Sequence, residues 1–277
     1  MRRRFIAVLN LGQSFLCSSK CQSALFFLLI ALPLFTKANP AKQYGVGYSW
    51  ERFDPAVAGR YYSVYSLVNQ ADMTVGFKNR HTIEYANFID SLISERFYHA
   101  YSTYSLKENW IAYFAGKYIW YDLAAIVTPE DIMKHPMAAC SQQAIILMKC
   151  FKEVGIPYRA VHLNGHYTSE GQIDGRWYFF DPSVEPNFNL TNGRKSLEEL
   201  LTANELDAVY VRELPKNDLH RIFTNISYGE VNENVAWKAA LFHHATYIVS
   251  LLLPGFLLFG LIHFVRRKLR RNRTLMH

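Results

Sequence analysis

A chain of 277 residues, half of them hydrophobic, has room for a folded core and for membrane segments. Its formal net charge of +7 belongs to the ends: of 30 Lys and Arg, five lie in residues 1–38 and six follow Val265, with no acid at either end, leaving nineteen basic against 23 acidic residues between. The middle is net acidic, so a nucleic-acid reading loses its main support and no nucleic-acid partner is expected.

Arg2, Arg3 and Arg4 precede an apolar run, Ala24 to Phe35, that is short for a bilayer span and interrupted by Pro33. Thr36-Lys37-Ala38 offers small residues at both cleavage-determining positions, so residues 1–38 read as a signal peptide, or as a signal anchor if retained. Residues 39–127 are expected to form an N-terminal helical lobe. Thr82 suits the cap of a helix with Phe88, Ile89, Leu92, Ile93 and Phe97 on its buried face. Ser105 and Glu108 have capping-box spacing, ahead of a helix expected to bury Trp110, Ile111 and Phe114.

Residues 128–215 hold the chemistry. Thr128-Pro129-Glu130-Asp131 starts a short helix that Pro136 ends, and Met137 to Ala139 delivers Cys140 to the mouth of the next one. Ala144, Met148 and Phe151 share the face of Cys140, so the thiol points toward the fold. Cys150 falls on another face, as a buried hydrophobe out of disulfide reach. Gly155, Ile156 and Pro157 terminate the helix in Schellman fashion. Strand-like runs from Tyr158 to Tyr167 and from Arg176 to Phe180 flank Asp174-Gly175, the dipeptide of a type I′ turn. That register sets Asp181 opposite Thr168 and one diagonal step from His166 on the same face. Spacing alone therefore assembles Cys140, His166 and Asp181. His135, His162 and Glu170 have no metal-site spacing, and neither metal nor cofactor is expected.

Ser196 and Glu199 form a second capping box before a short helix, and Ala208 to Val211 reads as a strand. Residues 216–244 are expected to be a polar stalk. Residues 245–265 are apolar over the ~20 positions of a transmembrane helix. Trp237, His243, His244 and Tyr247 collect at its entry, Pro254-Gly255 would kink it, and residues 266–277 form a basic tail. By the positive-inside rule that tail is cytoplasmic and the acidic middle faces a periplasm or lumen.

Cys140-Ser141-Gln142-Gln143-Ala144, Gly155-Ile156-Pro157-Tyr158-Arg159-Ala160-Val161, Gly165-His166, Glu170 and Gly175-Arg176-Trp177-Tyr178-Phe179-Phe180-Asp181-Pro182-Ser183 together resemble the core of the transglutaminase-like superfamily, in order and in spacing. The resemblance covers roughly residues 128–183. Many members have glycine before the cysteine and tryptophan two residues after the histidine, where this chain has Ala139 and Thr168. It implies an α+β, papain-like core with the catalytic cysteine at a helix N-terminus packed on an antiparallel sheet. It further implies Cys140 as nucleophile, His166 as base and Asp181 as orienter, acting on amide or peptide bonds through an acyl-thioester. A membrane-anchored cysteine peptidase, amidase or acyltransferase is expected, with a peptide, protein or glycopeptide substrate. The rival expectation is a non-catalytic module that holds a peptide or glycan partner in a membrane assembly.

Overall fold

The computed structural model describes residues 51–184, 186–190, 193–210 and 216–274. The signal reading of residues 1–38 lies outside them, as do the last three residues of the tail. The principal elements are α1 (Val64–Ala71), α2 (Ile83–Arg96), α3 (Trp110–Tyr118), α4 (Cys140–Val154), β1 (Tyr158–Leu163), β2 (His166–Ile173), β3 (Arg176–Phe180), α5 (Leu197–Thr202), α6 (Leu206–Tyr210), α7 (Lys216–Ile222), β4 (Ser227–Tyr228) and α8 (Trp237–Thr274). They fall into two compact units, one built from Tyr44–Thr103 and Ala125–Ala240, the other combining Tyr104–Ala124 with the chain from Leu241.

The larger unit is α+β. Its antiparallel sheet has the order β3-β2-β1-β4. The Asp174-Gly175 turn has both residues at positive φ, 50° and 77°, as a type I′ hairpin requires, and pairs Ile173 with Arg176 in the expected register. The run from Tyr158 to Tyr167 is not one strand. It breaks at Asn164-Gly165, where Gly165 takes φ 77°, and Leu163 pairs with His166 across a second tight turn. Asn164 is held from outside, its N–H donating to the Ile222 carbonyl at 2.9 Å.

Helix α4 ends as its sequence dictates: Gly155 is left-handed at φ 80° and the Ile156 N–H donates to the Phe151 carbonyl at 2.9 Å. Its apolar face packs on β2, where Gly171 leaves room for an edge-to-face pair of Phe151 and Phe180, ring centroids 5.2 Å apart. A Cβ at Gly171 would sit 2.9 Å from Phe151 and 3.3 Å from Phe180. Gly171→Ala is therefore expected to cost about 1–3 kcal/mol by overpacking, read as a lower urea midpoint at unchanged slope. Val161, Leu163, Phe179, Val184, Phe188, Leu197, Leu200, Val209, Tyr210 and Leu219 form a further apolar core of this unit.

Thr82 caps α2 by accepting from the Tyr85 N–H. The helix buries more than the expected stripe, including Asp90 and Arg96, while Phe88 stays half-buried. Arg96 donates to the carbonyls of Tyr61, Met133 and His135 at 2.7, 2.7 and 3.0 Å, fixing the approach to the Met137–Ala139 link. Ala208 to Val211 was expected to be extended. Leu206–Tyr210 is instead helical, because burying Val209 and Tyr210 in the core outweighs their strand preference; Val211 lies outside the described residues. The segment expected as a stalk supplies α7 and the edge strand β4, whose Tyr228 and Ser227 pair with Val161 and His162.

The smaller unit sets α3 against α8. Asn109, not Ser105, caps α3, its Oδ1 accepting from the Ala112 N–H. The Ser105–Glu108 pair forms only the turn before it. Trp110, Ile111 and Phe114 are half-buried rather than core residues. Helix α8 is 38 residues long and is long and apolar enough over Trp237–Arg267 to cross a membrane, its most apolar 18-residue window holding no residue buried in protein.

Candidate active site

Cys140 is the first residue of α4, where main-chain N–H groups have no intrahelical acceptor and the helix dipole is positive. Gln142, 1 % exposed, fixes that end. Its Oε1 accepts from the N–H groups of Ala139 (3.1 Å) and Ser102 (2.9 Å), and its Nε2 donates to the carbonyls of Ser102 (2.8 Å) and Ile126 (2.7 Å). All four amide positions are thus used, so the mouth of α4 cannot shift without breaking a buried hydrogen bond. Gln143 adds a bond from its Nε2 to the Ala138 carbonyl at 2.9 Å.

His166 opens β2, and its Nε2 lies 2.8 Å from Asp181 Oδ2. The Cys140 side chain lies close enough to the same ring to favour its charged form. All three residues expected from spacing are therefore in one connected group. Burial opposes charge on His166, but the Asp181 carboxylate, its hydrogen bond and the contact with Cys140 outweigh it and raise the imidazole to about 10. Burial likewise pushes the Asp181 carboxyl up, and the charge of the His166 ring together with three donors, that ring included, pulls it below the usual carboxylate range. The coupled pair is thus imidazolium and carboxylate at neutral pH.

Two of those donors escape a reading by spacing. Tyr210 Oη donates to Asp181 Oδ2 at 2.8 Å, and Ser183 Oγ donates to Oδ1 at 3.0 Å. Burial, then the charge of Asp181, holds the Tyr210 phenol well above its ordinary range, so it stays a donor. Ser183 follows Asp181 by two residues and was visible as part of a motif; Tyr210 lies in the segment read as a strand and carried no signal. His99 is the third addition. The Tyr98 N–H donates to the Pro136 carbonyl and the Ala138 N–H to the Tyr98 carbonyl, so residues 98–99 run beside the link that delivers Cys140. Burial first, then the His166 cation, pushes the His99 imidazole down, with Asp181 opposing.

Cys150 is fully buried, and burial pushes its thiol far up, so the two described cysteines differ sharply in accessibility. Glu170 is engaged elsewhere: its Oε2 accepts from Arg159 Nε and Nη2 at 2.8 and 2.6 Å. No family model, curated protein or solved structure matches this chain. The chemistry therefore rests on the geometry itself.

Proposed function

We propose that the chain is a membrane-anchored, extracytoplasmic thiol enzyme of transglutaminase-like, papain-like type, acting on an amide or peptide bond through an acyl-thioester. The observation that carries this is the buried, hydrogen-bonded Asp181–His166 pair beside a partly accessible cysteine at a helix N-terminus. A structural histidine needs no thiol partner, and a structural cysteine is usually buried as Cys150 is.

In this reading the Cys140 thiolate attacks the substrate carbonyl carbon, and the oxyanion forms beside the Cys140 main-chain N–H. The bond to nitrogen breaks as His166 passes its proton to the leaving amine. Water or a second amine then attacks the thioester, giving up its proton to the imidazole and releasing the thiolate. Asp181 holds the ring oriented and stabilises its cation, while Tyr210 and Ser183 hold Asp181. Water is the default acceptor, since an amine has to outcompete it. The long apolar α8 followed by basic residues supports an anchor with a cytoplasmic tail.

The test is comparison of envelope material from cells carrying the native chain and from cells carrying Cys140→Ala, by mass spectrometry of released peptides and of newly cross-linked amides. Expected is a set of products present only with the native chain. Identical profiles, together with a Cys140 that a thiol-directed electrophile modifies no faster than a free small-molecule thiol, would leave the non-catalytic binding module as the better reading.

A further inference from the structure

Helix α8 contains Pro254, which has no N–H to give the carbonyl four residues earlier. That carbonyl belongs to Ser250, and the indole Nε1–H of Trp110 donates to it at 3.4 Å. Ser250 lies five residues inside the apolar stretch that begins at Ala245, about 7 Å along the axis. A carbonyl without a partner at that depth of a bilayer would be costly, so the donor from α3 completes a ladder the sequence leaves broken.

The neighbouring contacts fix the same level. Asn109 Nδ2 donates to Thr246 Oγ1 at 2.9 Å and to the His243 carbonyl at 3.2 Å, while His243 Nε2 donates to the Leu123 carbonyl at 3.1 Å. The Tyr104 N–H donates to the Ala124 carbonyl and closes the neck of the hairpin. Helix α3 itself, Trp-Ile-Ala-Tyr-Phe-Ala-Gly-Lys-Tyr, carries a single charge, Lys117. At its tip Tyr118, Ile119, Trp120 and Tyr121 are 70, 80, 62 and 53 % exposed in succession. Four adjoining large apolar residues are poorly suited to water, whereas Tyr and Trp with a lysine that can snorkel are the composition of a membrane interface.

We propose that the hairpin Tyr104–Ala124 is a lipid-interface element, docked on α8 through Trp110 and Asn109, with Tyr118 to Tyr121 among the lipid headgroups and upper acyl chains. This rests on α8 spanning the membrane, and the two ideas are separable by experiment. In a chain with Cys17, Cys21 and Cys140 replaced by serine, a nitroxide is attached through Ile119→Cys or, separately, Leu251→Cys. Each protein is reconstituted in phosphatidylcholine–phosphatidylglycerol vesicles. Collision with oxygen against collision with a water-soluble nickel chelate then reports depth. Expected are a deep label at 251 and a shallow but lipid-shielded label at 119. A label at 251 in water would defeat the span; a deep label at 251 with one at 119 in water would defeat only the hairpin proposal. Broadening at 119 that disappears on dilution with unlabelled protein would place a second copy there and equally overturn it. A second arm uses Trp110→Phe, expected to lower the unfolding midpoint in the native chain but hardly at all in Pro254→Ala, which restores the helix's own donor. Equal shifts in both backgrounds would show that the indole does not serve that carbonyl.

Discussion

Replacing His166 by alanine is expected to slow alkylation of Cys140 by iodoacetamide at pH 6.5 by about 10-fold or more, because it removes the cationic partner that the proposed mechanism sets beside the nucleophile. The native ring stays charged across the neutral range, since Asp181 raises it to about 10 against the opposing effect of burial. Asp181→Asn is expected to act in the same direction by removing the charge that holds the imidazolium. Tyr210→Phe should do so more weakly, because it removes one of several donors to Asp181 and leaves the carboxylate in place. The same pair makes a stability signature. The depressed Asp181 contributes stability that is full above about pH 3.9 and is lost as pH falls through its folded value; the raised His166 contributes stability that is full below about pH 6.5 and is lost as pH rises through its own. The difference in thermal midpoint between the native chain and Asp181→Asn should therefore peak between about pH 4 and 6.5 and shrink toward alkaline pH. An alkylation rate indifferent to His166→Ala would overturn the proposed role of His166 toward Cys140.

The second large effect concerns stability. Glu170 is fully buried on β2; Arg159 reaches one of its oxygens from β1, and the Leu197 N–H at the start of α5 donates to the other at 2.7 Å. The Arg159 guanidinium is also stacked between Trp177 and Tyr228, 4.4 and 4.0 Å from their ring centroids. One carboxylate thus joins β1, β2 and α5. Glu170→Ala leaves a stacked cation and a helix-end N–H without their acceptor, at a cost of about 3–5 kcal/mol. Arg159 keeps a fifth of its surface in solvent, so the lower end of that range is expected. Because net stability is commonly about 5–15 kcal/mol, a loss of that size moves the urea midpoint far down. Glu170→Gln preserves an acceptor for Leu197 and is expected to lose less. A midpoint that survives Glu170→Ala would show that the cluster is not structural.

Features fixed within a few residues are legible in the sequence: the left-handed Gly155, the Asp174-Gly175 turn, the Thr82 cap, and the register that aligns His166 with Asp181. Each depends on local steric or hydrogen-bonding rules that no distant residue alters. Tyr210 and Gln142 were not legible, because their partners lie 29 residues away in one case and up to 40 in the other. The strand at Ala208–Val211 failed for the same reason, since its β-favouring side chains are equally content on the buried side of a short helix. Asn164-Gly165 is different: the dipeptide is itself a two-residue turn signal, and reading Tyr158 to Tyr167 as one strand-like run passes over it.

The edge of the sheet has a practical bearing on how the protein can be cut. The outer side of β1 is covered along its length by residues 227–232: β4 pairs with Val161 and His162, the Gly229 N–H reaches the Ala160 carbonyl, and Asn232 bonds Tyr158 in both directions. A version of the chain truncated after residue 215 would keep Cys140, His166, Asp181 and Tyr210 yet present a bare row of main-chain donors and acceptors on β1. Such a row is a template for strand addition by another copy. Soluble, monodisperse material is therefore expected only when the cut falls beyond Asn232, and light scattering of the two truncations side by side would show the shorter one growing into large aggregates.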